Sequence, residues 1–156
     1  MPPKMDSPMP SLSGEETTWF NTDHPITPEE LKGHATIIHF WSVSCGICKE
    51  SLPDLYRLMD LYKAKGLKLV SVHMPRQESD TNIESVKECM KEYDINQPVV
   101  VDNMHSITDA FENKFVPAYY VFDAEGKMRN FAAGEKAIKM TEPVLERLLG
   151  KQEVGA

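Results

Sequence analysis

The stretch Phe40-Trp41-Ser42-Val43-Ser44-Cys45-Gly46-Ile47-Cys48-Lys49-Glu50 decides how the rest of the chain is read. Two cysteines separated by two residues serve as a redox couple, as half of a metal site, or as mere neighbours in a helix. Their flanks discriminate. Upstream, Ala35-Thr36-Ile37-Ile38-His39-Phe40-Trp41 is a near-continuous β-branched and aromatic run, the pattern of a strand buried on both faces. Downstream, Leu52, Leu55, Met59 and Tyr62 recur at helical spacing until Gly66 stops the pattern. Cys45 is therefore expected at a strand-to-helix junction, at the start of the helix.

The same two periods organise the remainder. Thr27-Pro28-Glu29-Glu30-Leu31 has a cap, a proline and a capping-box glutamate in order, and predicts a short helix ending at Gly33. Residues 67–74 (LKLVSVHM) read as a second strand, and Ile83, Val86, Cys89, Met90 and Tyr93 as one face of a helix. Residues 98–102 (PVVVD) form a third, short strand, followed by a helix around Ile107 to Glu112. Residues 118–123 (AYYVFD) and 127–133 (KMRNFAA) are strands joined by the turn Ala124-Glu125-Gly126. A last helix is expected from about Thr141 to Leu149, stopped by Gly150. Strands alternating with helices call for parallel crossovers, and the final pair of strands for an antiparallel edge.

With 156 residues the chain is sized for one domain, expected over 17–150 between a flexible N-terminal arm (1–16) and a short tail (151–156). A formal net charge of −7 disfavours nucleic acid and anionic membrane surfaces, which need a basic patch. The start has no apolar h-region, and the longest apolar run is too short to span a bilayer. A cytoplasmic monomer is the expectation.

Three cysteines, at 45, 48 and 89, are too few for a disulfide scaffold and leave at least one unpaired. A cysteine at a helix start sits where backbone N–H groups and the helix dipole favour an anion, so its thiol is acidified. Cys45 is thus the expected nucleophile, exposed, with Lys49 as a nearby positive charge. Cys48, one turn on, is within reach to resolve a mixed disulfide. Zinc would need two further ligands, but His24, His34, His39, His73 and His105 are scattered, so no metal is assigned. A haem attachment site would need histidine where Lys49 stands. No cofactor is implied.

Residues 37–55 (IIHFWSVSCGICKESLPDL) resemble the active-site segment of thioredoxin-fold proteins of the TlpA/ResA-like group. Residues 72–80 (VHMPRQESD), 97–103 (QPVVVDN) and 108–128 (TDAFENKFVPAYYVFDAEGKM) continue the likeness over nearly the whole chain after the arm. The resemblance implies an α/β thioredoxin-like fold, a central mixed sheet flanked by helices. One helix near 82–93 and one strand near 98–102 would be inserted into it. It implies a Cys45–Cys48 redox-active disulfide, with Cys45 as nucleophile and Cys48 as resolving thiol. Pro117 would be cis and face the dithiol, with the Val116 backbone and Trp41 as substrate-binding elements. Disulfide-containing protein substrates and an unidentified thiol electron donor would be the partners.

Departures from the group are informative. Ser44 stands where thioredoxins have tryptophan, and His39 where they have a buried acid. The acid that ResA-like proteins carry before the helix proline is Ser51 here, with Glu50 one position off. His39 is therefore the candidate proton shuttle for Cys48, set against a structural core histidine. Cys89, on the helix face with Val86, Met90 and Tyr93, is read as buried and inert, set against a third redox thiol, and His73 as structural or exposed. The function expected is a thiol-disulfide oxidoreductase that reduces protein disulfides. A non-catalytic binding module or a metal-binding module are the alternatives. A peroxide reductase is disfavoured by the absence of a P-x-x-x-T-x-x-C pattern.

Overall fold

The computed structural model describes residues 4–150. Its strands are β1 (Thr18–Phe20), β2 (Thr36–Trp41), β3 (Lys68–His73), β4 (Val99–Val101), β5 (Ala118–Phe122) and β6 (Met128–Ala133). Its helices are α1 (Pro28–Leu31), α2 (Gly46–Leu61), α3 (Ile83–Glu92), α4 (Ser106–Phe111) and α5 (Ala137–Leu149). The six strands form one mixed sheet in the order β1-β4-β3-β2-β5-β6.

Every residue of β2 is buried, because the sheet is covered on both faces. Ile37 and Trp41 point to one face, with Leu52, Leu55 and Leu58 of α2, Val86 of α3 and Leu145 of α5. Ile38 and Phe40 point to the other, with Leu31, Ile107 and Phe111 of α1 and α4. The long β-branched and aromatic run is thus what a two-sided core requires. β2 pairs in parallel with β3, Trp41 opposite His73, so both strands end at one edge of the sheet. β5 runs antiparallel to β2, Phe40 opposite Ala118, and brings the residues just before it to that same edge. This edge carries the dithiol.

Four expectations change. Antiparallel pairing is not confined to a terminal hairpin, because β5 lies between β2 and β6 and pairs antiparallel with both. β1 has no counterpart among the strands read from the sequence. It is three residues long and pairs antiparallel with β4 at the side of the sheet away from β6, and so short a run has no period to detect. α5 starts at Ala137, one turn early, and holds Pro143 inside; the proline removes one N–H but does not prevent the turn before it. The arm is also not loose over its described part. Leu12 is fully buried and Met9 nearly so in the core beneath α1 and α4. Asp6 and Met9 donate backbone hydrogen bonds to Met128 and Gly126. Gly14 lies so close to α4 that a Cβ there would collide with the Cβ of Ser106. An extended segment hides its buried side chains from any helical or strand period, which is why Leu12 gave no signal. The tail expected at 151–156 lies outside the described residues.

The capping box appears as expected: Glu30 N–H donates to Thr27 Oγ1 and Thr27 N–H to Glu30 Oε1. The inserted pair corresponds to α3 and β4.

Candidate active site

Cys45 is the N-cap of α2. Its Sγ accepts the backbone N–H of Cys48 at 3.1 Å. The two sulfurs are joined as a disulfide, with the Cα atoms 5.3 Å apart. The dipole and the unpaired N–H groups of a sixteen-residue helix therefore bear on Cys45. One expectation is corrected: in the disulfide form Cys45 is only 4% exposed, against 1% for Cys48. It packs in the core cluster with Trp41 and Tyr119, and it is Gly46 and Ile47 between the two cysteines that face solvent.

The turn leading into α2 is held by Ser44 and His73 together with Ser42, Arg76 and Asp80, three residues that the sequence alone does not single out. Since β2 and β3 end together, residues 42–45 lie against the segment that leaves β3. There, Asp80 Oδ2 accepts from Ser42 Oγ at 2.9 Å, Ser44 Oγ at 2.7 Å and the Arg76 backbone N–H at 2.9 Å. Burial by itself would raise the Asp80 pKa. The hydrogen bonds from Arg76, Ser44 and Ser42, with His73 nearby, outweigh it and hold the carboxyl below its ordinary value. The Arg76 guanidinium donates from Nε to Ser44 Oγ at 3.2 Å and from Nη2 to the Ser44 carbonyl at 2.7 Å. His73 Nε2 accepts the Val43 N–H at 3.2 Å, and its ring meets Trp41 edge-on with centroids 5.0 Å apart. Burial lowers the His73 pKa to about 4, so it is neutral and its proton is on Nδ1. No local period marks this network: the polar run Arg76 to Asp80 meets the turn only because β3 ends alongside β2.

Lys49 is turned away from the role expected of it. Its Nζ lies over the Tyr93 ring, 5.6 Å from the centroid. Trp41 is also corrected as a substrate contact, because it is 1% exposed on the inward face of β2 and supports the site from behind. The Val116–Pro117 bond is cis. Val116 is half-buried and lies two residues before Ala118, the first residue of β5, which pairs with Phe40 of β2 and Ala133 of β6.

His39 shares a face of β2 with Ile37 and Trp41, the face that packs under α2. It is 1% exposed, and burial pushes its pKa down to about 3. The expected titration near neutrality is therefore not met. Gln97 Nε2 donates to Ser71 Oγ at 2.9 Å, and Ser71 lies 2.9 Å from His39 Nδ1. With the Ser71 hydroxyl donating to Nδ1, the imidazole proton sits on Nε2, which has no hydrogen-bond partner within the protein. Cys89 is buried and free, and burial raises its pKa, as suits an inert thiol. Among the described residues no group of three or more His, Cys, Asp or Glu side chains could hold a metal ion. No helix among them is long and apolar enough to cross a membrane.

The site thus has a disulfide at a helix N-cap and a cis-proline just before β5 of a mixed sheet. The family model described as AhpC/TSA matches residues 6–131. This chain belongs to the AhpC/TSA family. It is a thiol-disulfide oxidoreductase of thioredoxin fold. It is 47% identical over 151 residues to the thiol-disulfide oxidoreductase YkuV of Bacillus subtilis, covering 96% of this chain and 99% of that one. It is 26% identical over 123 residues to the thiol-disulfide oxidoreductase ResA of Bacillus cereus, covering 79% and 68% respectively. A thioredoxin-like protein solved in solution in its oxidised form superposes with a TM-score of 0.82 at 47% identity, covering 96% of this chain and 99% of that one.

Proposed function

We propose that this oxidoreductase reduces disulfides of protein substrates through a mixed-disulfide intermediate. The observation that carries the proposal is Cys45 at the N-cap of α2, its sulfur accepting the Cys48 N–H. Cys45 loses its proton to solvent, and the thiolate attacks one sulfur of the substrate disulfide, expelling the other as a thiolate. Cys48 then gives up its proton and attacks Cys45 Sγ. The second substrate thiolate leaves, and the Cys45–Cys48 disulfide remains on the protein. A thiol donor restores the dithiol. The Val116 backbone, which precedes β5 and has no partner in its strand pairings, is the element proposed to hold a substrate segment by strand addition.

His39 serves the second step in this proposal, as a neutral imidazole. A group with a pKa near 3 is too weak a base to take a thiol proton, but its Nε2–H can donate to the sulfur of Cys48 as negative charge develops there. The proposed setting is the cytoplasm, where thiol buffers keep such a dithiol reduced and electrons run toward the substrate. The working form is a monomer. Equilibration of the Cys45–Cys48 pair in glutathione buffers of graded ratio tests the direction. A potential well below that of the glutathione pool fits a reductase; a strongly oxidising potential would reverse the assignment.

A further inference from the structure

We propose that Arg76 sets the acidity of the Cys45 thiol, and that Asp80 is the positioning residue that holds Arg76 where it can do so. The inference rests on Cys45 being the attacking thiol. In the disulfide form Cys45 is nearly buried, and such a setting favours a neutral thiol over a thiolate. The N-cap position offsets this in part. A second source of positive potential is needed for a thiolate at neutral pH, and the charged groups at this edge can be taken in turn.

On α2, Lys49 is engaged by the Tyr93 ring and Glu50 is exposed to solvent. At the end of β3, His73 is neutral and its Nε2 is occupied by the Val43 N–H. Before β5, Val116 and Pro117 carry no charge. Asp80 is an anion, and its Oδ2 is committed to three donors, on Ser42, Ser44 and the Arg76 backbone. Arg76 remains. Two of its guanidinium nitrogens grip Ser44, one of them on the carbonyl a single peptide bond from Cys45. A guanidinium cannot release its proton in this range, so this is a fixed positive charge.

Asp80 fixes both ends of that grip. It accepts the backbone N–H of Arg76 and the hydroxyl of Ser44, the residue that Arg76 holds. Ser44 stands where thioredoxins carry tryptophan, and a hydroxyl there both accepts from Arg76 and donates to Asp80. The serine is thus the link between the carboxylate and the cation.

The test is the alkylation rate of each cysteine in the reduced protein by iodoacetamide from pH 4 to 10, mapped by mass spectrometry. Arg76 is exposed, so Arg76→Gln leaves the core untouched. Arg76→Gln is expected to raise the Cys45 pKa by about one unit, making alkylation near pH 6 roughly tenfold slower and leaving rates above pH 9 equal. Arg76→Lys keeps the charge without the planar fork, and its shift is expected to be less than half as large. Superimposed Cys45 profiles for wild type and Arg76→Gln, or equal shifts from Gln and Lys, overturn the assignment. If Cys48 rather than Cys45 alkylates first in the wild type, it is the order of attack that fails, a separate result visible in the same experiment.

Discussion

The imidazole of His39 stacks on the ring of Tyr119, centroids 5.1 Å apart and planes 17° from parallel. The two are direct partners across β2 and β5, and the stack fixes the plane of the imidazole ring. The Tyr119 hydroxyl lies toward Ser51 of α2 but closes no hydrogen bond of ordinary geometry. His39→Ala is expected to slow resolution of the mixed disulfide severalfold while leaving the first attack near wild type. His39→Asn retains an N–H donor and is expected to recover most of the rate. Stopped-flow resolution of a preformed mixed disulfide reads both. A wild-type pH profile with a group near 6.5 that vanishes in the Asn variant would restore the proton shuttle and remove the neutral-donor role.

Replacing the cysteines one at a time separates their roles. Cys45→Ser is expected to abolish reduction of a model protein disulfide, and Cys48→Ser to accumulate a covalent adduct between Cys45 and the substrate. Only Cys45 has the N-cap position and the help of Arg76. An adduct trapped on Cys48 in the Cys45→Ser protein, detected by peptide mapping, would reverse the order of attack.

Acid is expected to destabilise the fold in a defined window. His39 and His73 have folded pKa values lowered to about 3 and about 4, against 6.5 when unfolded. Between those limits the unfolded chain binds the extra protons, so stability rises with pH and is lost on acidification. Each histidine contributes a slope of about 1.4 kcal/mol per pH unit over its window. Protonation of His73 also removes the acceptor for the Val43 N–H, and so loosens the turn before Cys45. Asp80 adds a further loss only below its unfolded value of 3.8. Urea unfolding midpoints of the oxidised protein from pH 7.5 to 4.5 check this. Equal midpoints across that range would mean that both histidines ionise freely in the folded state.

Leu12 provides a test of the N-terminal segment. Leu12→Ala removes a fully buried side chain from the cluster with Met9, Leu31, Ile107 and Phe111 and is expected to cost about 2–5 kcal/mol. Met5→Ala, at a side chain 55% exposed, is expected to change stability by less than about 0.5 kcal/mol. Chemical denaturation compares the two. A similar, small effect for both would mean that the segment does not share in the cooperative core.

Local pattern was sufficient for much of this protein. A buried β-branched run followed by a helical period placed Cys45 at the head of α2, and that position alone supplies the N-cap chemistry. The capping box of α1, the order of the main elements and the buried face holding Cys89 have the same origin, because backbone geometry imposes a period on the side chains it buries. Pro117 is different, since its cis isomer is expected from likeness to a family and from no period in this chain. What the tertiary structure decided is everything carried by pairs distant in sequence. Parallel pairing of β2 with β3 sets Ser44 against Arg76 and Asp80, residues about thirty positions away with no local sign of the contact. The same burial turns His39 from a titrating group into a neutral one, because a histidine's pKa reflects how much water the fold removes from it. Trp41 is withdrawn from the surface, and the aperiodic segment around Leu12 joins the core, for the reason that only the assembled sheet has two faces to cover.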